Sequence, residues 1–289
     1  KAALEARLRR RSQQTGRELN RLRMRLVMDR YAARLAAELG PAMVLKGGVA
    51  LELRLEAARA TKDLDIHLVG ASRDTLGRLQ SAGRRDLGEY LQFEVQPDPR
   101  HPRIDAEGMQ YEGLRFRVQA RLAGKVYGGP FGVDAALAEP LAGQPDVIEG
   151  TDLLSFAGIP PTPLRVYPIE THIAEKLHAY TLPRGRVNMR LKDLVDVPLI
   201  SAALDGVTAS DLRAAIQLTF EFRETHDPPP ALPVPPREWL GPYDKLKEAE
   251  GLPWDDVDAL HAVAAVGPVL RGARGTWSAE HGRWVTEQE

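Results

Sequence analysis

Between about Thr15 and Leu39, the apolar residues Leu19, Leu22, Leu26, Tyr31, Leu35 and Leu39 recur at helical spacing. The pattern predicts a long amphipathic helix, ended by Gly40-Pro41. Met43-Val44-Leu45 is a short apolar run that suits a buried strand, Gly47-Gly48 breaks the chain, and Val49 to Leu55 reads as a short helix. Leu64, Ile66 and Leu68 then alternate with Asp63, Asp65 and His67, the period-2 pattern of a half-buried strand. Ser72 suits the N-cap of a helix over about Arg73 to Ala82. Strand-like segments follow at Leu91–Val95, Leu114–Leu122 and Phe131–Leu137, and Pro160, Pro161 and Pro163 mark a linker. Beyond it the period becomes helical, over Ile169–Leu182, Leu191–Leu204, Ser210–Arg223 with Ser210 as a cap, and Val257–Leu270. Asp227–Pro236 reads as a stiff polyproline-type spacer. The expected layout is an α/β half over residues 1–160 and a helical half over residues 161–289.

Composition narrows the class. A chain of 289 residues that is 43% hydrophobic and 27% charged is that of a folded globular protein rather than a disordered one. No apolar run approaches the roughly 20 residues that span a bilayer, and the arginine-rich N-terminus has no apolar core behind it, so neither a membrane partner nor a signal peptide is expected. The absence of cysteine excludes disulfides, thiolate zinc sites and cysteine nucleophiles, and a cytoplasmic protein fits best. Net charge is −1, but its distribution is uneven: Lys1, Arg7, Arg9, Arg10, Arg11, Arg17, Arg21, Arg23, Arg25 and Arg30 face only Glu5, Glu18 and Asp29. Such a segment either lies along phosphates or is simply a solvated helix face.

The most informative stretch runs from Leu45-Lys46-Gly47-Gly48 to Thr61-Lys62-Asp63-Leu64-Asp65. Alternation puts Asp63 and Asp65 on one face of one strand, roughly 7 Å apart, while Leu64 and Ile66 point into the core. Two carboxylates held that close repel unless a cation sits between them. Magnesium is the natural candidate, since it takes a few carboxylates together with substrate phosphates. Glycines between a strand and a helix let the backbone approach an anion, and a helix N-terminus offers free N–H groups to phosphate. Lys46 adds a positive charge beside Gly47 and Gly48. An ordinary tight turn would explain the glycines equally well, and Asp-x-Asp is common on exposed strands; the ordered combination is much rarer. Asp134, mid-strand in Phe131–Leu137, is the best third carboxylate for a two-metal phosphoryl-transfer site, with a salt-bridged aspartate as the alternative. Asp105 and Glu107 are poorer, because their context reads as loop.

The helical half carries a second cluster. Lys176 borders the apolar face made by Ile169, Ile173 and Leu177 and is placed to reach a triphosphate. Asp193 and Asp196 are three apart and share a helix side; surface ion pairs with Arg190, Lys192 or Lys176 would account for them. His172 and His178 read as ordinary helix histidines, and His67 shares the strand face of Asp63 and Asp65. No Walker loop, Gly-x-Ser-x-Gly elbow or dinucleotide glycine fingerprint is present.

Four blocks, Leu45-Lys-Gly-Gly-Val-Ala-Leu-Glu-Leu-Arg54, Thr61-Lys-Asp-Leu-Asp65, Ala174-Glu-Lys-Leu-His-Ala179 and Arg190-Leu-Lys-Asp-Leu-Val-Asp196, together resemble the AbiEii-type nucleotidyltransferase toxins, including the mycobacterial MenT proteins. The resemblance runs from about Tyr31 to Leu204; the segment after about Phe222 matches nothing. It implies a polymerase-β-like α/β (α+β) core with a mixed sheet, a helical C-terminal half, and a toxin that has a cognate antitoxin as partner. Carried over by position, Gly47 and Gly48 would form the nucleotide-phosphate turn, Asp63 and Asp65 the metal ligands, Lys176 the phosphate-contacting lysine with Arg190 near it, and Asp193 or Asp196 the acidic residue of the last block. Val49 stands where relatives often have Thr, and Thr61 where they often have Ser. Some relatives are silenced by modification of that hydroxyl, which makes Thr61 a candidate regulatory site.

The implied activity is transfer of a nucleoside monophosphate from an NTP, with magnesium or manganese on Asp63, Asp65 and Asp134, to an RNA acceptor, above all the 3′ end of tRNA. The rivals are a nucleotidyltransferase acting on a protein or small-molecule hydroxyl, and a non-catalytic nucleotide- or RNA-binding module.

Overall fold

A computed structural model describes residues 1–55, 61–70, 74–104, 113–137, 140–185, 190–201, 204–256 and 265–286. Ser72, Asp105, Glu107 and residues 257–264 of the last expected helix lie outside the described residues.

The N-terminal charge run is itself a helix, α1 (Ala2–Thr15), which ends at Gly16 and turns back so that Leu4 and Leu8 join the core. The expected long helix follows as α2 (Leu19–Leu39). Every residue from Leu26 to Leu35 in it is buried, so it runs through the protein interior rather than along its surface. Gly40 ends it, and a turn of 3-10 helix delivers the chain into β1 (Met43–Lys46). α3 (Gly47–Arg54) starts directly from β1, and β2 (Asp63–Leu68) returns antiparallel to it. α4 (Thr75–Arg84) is capped by Asp74, whose carboxylate accepts from the Gly77 amide at 2.8 Å, and it therefore begins later than the Ser72 reading. β3 (Leu91–Pro97), β4 (Gly113–Leu122), β5 (Lys125–Val126) and β6 (Phe131–Leu137) follow.

Besides the two-residue β5 and a C-terminal hairpin, two strands were not expected: β7 (Asp146–Glu149) and β8 (Pro163–Val166). The proline cluster read as a linker thus opens a strand at Pro163, a position where the missing N–H of proline costs no ladder bond. The described strands build an eight-stranded sheet in the order β3-β4-β6-β2-β1-β8-β7, with β5 paired to β4. It is mixed: β2 runs parallel to β6 and β1 parallel to β8, and the remaining pairs are antiparallel.

One face of the sheet packs Leu64, Ile66, Phe116, Val118, Val133 and Ala135 against α2 and α4. Leu64 and Ile66 are fully buried. At roughly 1.5–3 kcal/mol per such side chain, that face fixes the register of β2. The opposite face carries Asp63 and Asp65 on β2, Asp134 on β6, Arg115, Arg117 and Gln119 on β4, and Lys46 on β1. At the β1 end it is met by a second core, built from α5 (Ile169–Thr181), α6 (Leu191–Ser201), α7 (Ala209–Arg223), α8 (Leu240–Glu250) and α9 (Val266–Leu270). α7 is capped by Thr208 rather than Ser210. A hairpin of β9 (Thr276–Ser278) and β10 (Arg283–Val285) ends the described chain. No helix among the described residues is long and apolar enough to cross a membrane.

Many of the N-terminal arginines are engaged internally. Arg11 pairs with Asp152, Arg21 with Glu250 and Arg23 with Glu5, and Arg30 pairs with the buried Glu89. Glu89 also accepts from Arg34, which is fully buried and donates further to the carbonyls of Arg85, Arg30 and Leu91. This network bolts α2 to the loop between α4 and β3. Removing Glu89 leaves the buried Arg34 without its counterion and Arg30 with only Asp29, 3.9 Å away, so Glu89→Ala is expected to lower stability by about 3–5 kcal/mol in urea unfolding. A loss under 1 kcal/mol would show that the pair is not the bolt described.

Candidate active site

β1 sets Lys46 opposite Asp65, β6 sets Asp134 beside Asp65, and β4 sets Arg115 opposite Asp134. Residues that face each other across neighbouring strands lie on the same side of a sheet. The four therefore form one row whose charges read plus, minus, minus, plus. At one end Arg115 forks onto Asp134, Nε to Oδ1 at 2.7 Å and Nη2 to Oδ2 at 2.6 Å. At the other, Lys46 donates to Glu175 of α5 at 2.7 Å and lies over the Tyr167 ring at 4.7 Å. Glu175 is shared with Arg223 of α7 at 3.7 Å.

Asp65 sits between these ends. Burial pushes its carboxyl up to about 6, and Asp134 and Asp63 add to the rise while Lys46 and Lys176 oppose it. Its backbone neighbour is equally constrained. Gly47 has φ +65°, and a Cβ there would run into the Asp65 carboxylate. A Cβ on Gly132 of β6 would stand 2.5 Å from Asp63 Oδ1. Gly48 is just as close to Thr61, with 2.7 Å from an added Cβ to the Thr61 Cβ. The glycines read as a phosphate turn are thus also required by the oxygens packed against them. Thr61 is held in place by its amide, which donates to Glu52 at 2.7 Å, and its hydroxyl donates to the Asp63 carbonyl at 3.2 Å.

From the helical half, Lys176 donates to Asp193 Oδ1 at 3.0 Å and to Asp196 Oδ2 at 2.7 Å. Arg190 reaches Asp193 at 3.4 Å. The pairs anticipated on the surface are in fact buried: the Asp196 side chain is 1% exposed and that of Asp193 10%. Lys176 is near enough to lower the Asp65 carboxyl, so the four sequence blocks converge on one place. His67 does not open onto it; it is buried, with its ring 5.8 Å from that of Tyr167. His172 is buried as well, which holds its imidazole well below the usual range, and His178 bonds Thr225 at 2.7 Å.

Sequence reasoning passed over Arg115, Glu175, Tyr167 and Gly132. Arg115 had a signal, since Arg115, Arg117, Gln119 and Arg121 alternate with apolar residues and declare a polar face. The partner of Lys46 had none, because it lies on a helix far along the chain.

Among the described residues, no group of three or more His, Asp or Glu side chains is arranged to hold a metal ion, and Asp134 is taken up by Arg115. Asp63 and Asp65 remain as donors: two hard carboxylates on one strand face, one of them desolvated and its pKa raised further by the Asp134 charge. That set fits magnesium, which is commonly held by one or two carboxylates with substrate phosphates completing its shell.

A carboxyl whose folded pKa is raised costs stability when ionised, and that cost disappears as pH falls through 6 toward 4. In chelator, Asp65→Asn is therefore expected to be more stable than wild type at pH 7.5, by on the order of 1–2 kcal/mol. The difference should vanish near pH 4, and urea titrations at the two pH values test this; equal stability at pH 7.5 would refute it. Gly47→Ala is expected to lose about 1–2 kcal/mol from its left-handed backbone alone and to displace Asp65, read as the loss of any magnesium-induced rise in Tm.

Residues 30–260 match the family described as nucleotidyl transferase AbiEii toxin of type IV toxin–antitoxin systems. No curated protein sequence matches the chain. Among solved structures, MenT4, the nucleotidyltransferase toxin Rv2826c from Mycobacterium tuberculosis H37Rv, superposes with a TM-score of 0.56 over 80% of this chain and 75% of that one, at 18% identity. JHP933 from Helicobacter pylori matches 68% of this chain and 72% of its own, with a TM-score of 0.42 and 19% identity. At such identities the likeness to MenT4 is one of fold, and it bears out the mixed α/β core. With the family matched over most of its length, the chain belongs to the AbiEii nucleotidyltransferase toxins of type IV toxin–antitoxin systems.

Proposed function

We propose that this protein transfers a nucleoside monophosphate from an NTP to the 3′ end of tRNA, where the added nucleotide blocks aminoacylation and hence translation. The observation that carries the nucleotidyl-transfer reading is the placement of Asp65 in register with Asp134 and against the Gly47 backbone. A half-buried pair of like charges beside a helix N-terminus is suited to a cation and a polyphosphate together. The acceptor is read from the family resemblance.

Asp63 and Asp65 would hold magnesium or manganese, which when bound neutralises phosphate charge. Asp134, fastened by Arg115, keeps the field at Asp65 negative rather than acting as a free ligand. The amides that open α3 at Gly47 and Gly48 receive the β- and γ-phosphates, as free N–H groups at a helix N-terminus do. Lys176 faces the same phosphates, steered by Asp193 and Asp196, and Lys46 is steered by Glu175. Asp196 is the more buried of the two acids and serves to position Lys176, while Asp193 links Lys176 to Arg190 at the rim. The acceptor hydroxyl gives its proton to water and attacks the α-phosphorus in line; the bond to the α,β-bridging oxygen breaks and pyrophosphate leaves. A phosphate on Thr61 would set further negative charge between Gly48 and Asp63 and exclude the NTP. An antitoxin partner follows from the family.

Incubation with each labelled NTP, total tRNA and magnesium is expected to label tRNA. Asp63→Ala and Asp65→Ala should each lower the rate on the order of a hundredfold or more, and chelator should abolish it. Absence of labelled RNA with wild type would sink the acceptor, and undiminished transfer by Asp65→Ala would sink the site.

A further inference from the structure

The row of Arg115, Asp134, Asp65 and Lys46 has a neighbour one pleat away on the same open face. There Gln96 of β3 faces Arg117 of β4, Arg117 faces Gly132 of β6, and Gly132 faces Asp63 of β2. Gly132 contributes no side chain, so the lane between Arg117 and Asp63 has a backbone floor, overhung at one end by the Asp63 carboxylate. At a strand spacing of about 4.8 Å, the two residues stand about 10 Å apart across it.

The charges along the lane are unequally committed. Arg115 is forked onto Asp134, and Arg121 is paired with Glu94 at 2.5 Å. Arg117 is exposed and makes no ion pair or hydrogen bond among the described residues. Beyond it lies a hollow of about 250 Å³ bounded by Glu94, Val95, Gln96, Arg117, Gln119 and Pro130. Its chemistry is a guanidinium and two carboxamides, groups that bind phosphate and base edges, with the Glu94 carboxylate beside them paired to Arg121. Val95 turns its side chain into the core, which leaves Pro130 as the apolar residue at the surface of the hollow.

Geometry fixes which reactant belongs here. The attacking and leaving oxygens of a phosphoryl transfer stand in line on opposite sides of the phosphorus. Gly47, Gly48, Lys46 and Lys176 all lie on the β1 and α5 side of Asp65, and that is where the departing pyrophosphate is held. The acceptor must approach from the β6 and β4 side. We infer that the lane from Asp63 over Gly132 to Arg117 receives the terminal nucleotides of a single-stranded acceptor RNA, with Arg117 binding a backbone phosphate. The inference rests on the proposed RNA acceptor. It assigns the acceptor to the sheet face rather than to the N-terminal arginines, several of which are already paired within the protein.

The test uses the full chain as wild type, Arg117→Ala and Arg117→Lys. Binding of a short 5′-fluorescein oligoribonucleotide ending in CCA-3′ is followed by anisotropy across a salt series, and KM is measured for NTP and for tRNA. Arg117→Ala is expected to weaken oligonucleotide binding and raise the tRNA KM about tenfold. The slope of log affinity against log salt should fall by about 0.7, the KM for NTP should stay as in wild type, and Arg117→Lys should recover most of the loss. Unchanged oligonucleotide affinity and slope in Arg117→Ala overturn the inference, as does a rise confined to the NTP KM or loss of binding to an acidic peptide instead of RNA. If wild type labels tRNA while Arg117→Ala behaves identically, the lane fails and the proposed function stands. If wild type labels no RNA but oligonucleotide binding depends on Arg117, the lane stands and the proposed reaction fails.

Discussion

Two carboxylates side by side on neighbouring strands are the constraint around which this protein is arranged. Unit charges about 5 Å apart repel by about 3 kcal/mol at an effective dielectric of about 20, and Asp65 meets Asp134 at that kind of range with Asp63 close by. The sheet does not relieve the repulsion by moving them apart. Leu64 and Ile66 on the reverse face lock the register, so relief comes from cations at both ends of the row. Arg115 takes charge from Asp134, and Lys46 and Lys176 act on Asp65. What remains unbalanced is local, buried and directed at a glycine backbone.

The helical half is therefore part of the electrostatics of the sheet. Glu175 and Lys176 are consecutive residues of α5 with opposite tasks, one anchoring the lysine of β1 and the other delivering its own charge beside Asp65. Asp193 and Asp196 on α6 restrain that second lysine, and Arg223 on α7 steadies Glu175. α5, α6 and α7 thus each reach the site through a charged side chain, while their apolar faces pack against their neighbours.

Much of this was legible from residue order. Alternation about Leu64 and Ile66 set the face of Asp63 and Asp65, and the break at Gly47-Gly48 set the start of α3. What escaped was information held in tertiary pairing. β7 and β8 are four residues each, too short for a period to register, and Pro163 disguised β8 as a connector. The salt bridge on Asp134 was weighed as an alternative, but its partner could be named only once β4 was known to lie beside β6. The N-terminal arginines looked like a solvated or phosphate-binding surface because their partners, Asp152 and Glu250 among them, are distant in the chain. Charge density along a sequence does not distinguish an open face from an internally paired one.

The position of β8 bears on how such a protein is made. Its pairing with β1 joins Val166 to Leu45, and α5 begins three residues later. A chain emerging from the ribosome exposes the Gly47-Gly48 turn and all three strand aspartates well before Lys176, Asp193 and Asp196 have been synthesised. Until then Asp65 lacks Lys176, one of the two lysines that act on it, although Lys46, Arg115 and the strand β8 are already made. The site is therefore complete only once α5 and α6 are made, and a translation product cut short before Lys176 carries the glycine turn and the strand aspartates without the lysine that the helical half brings to them.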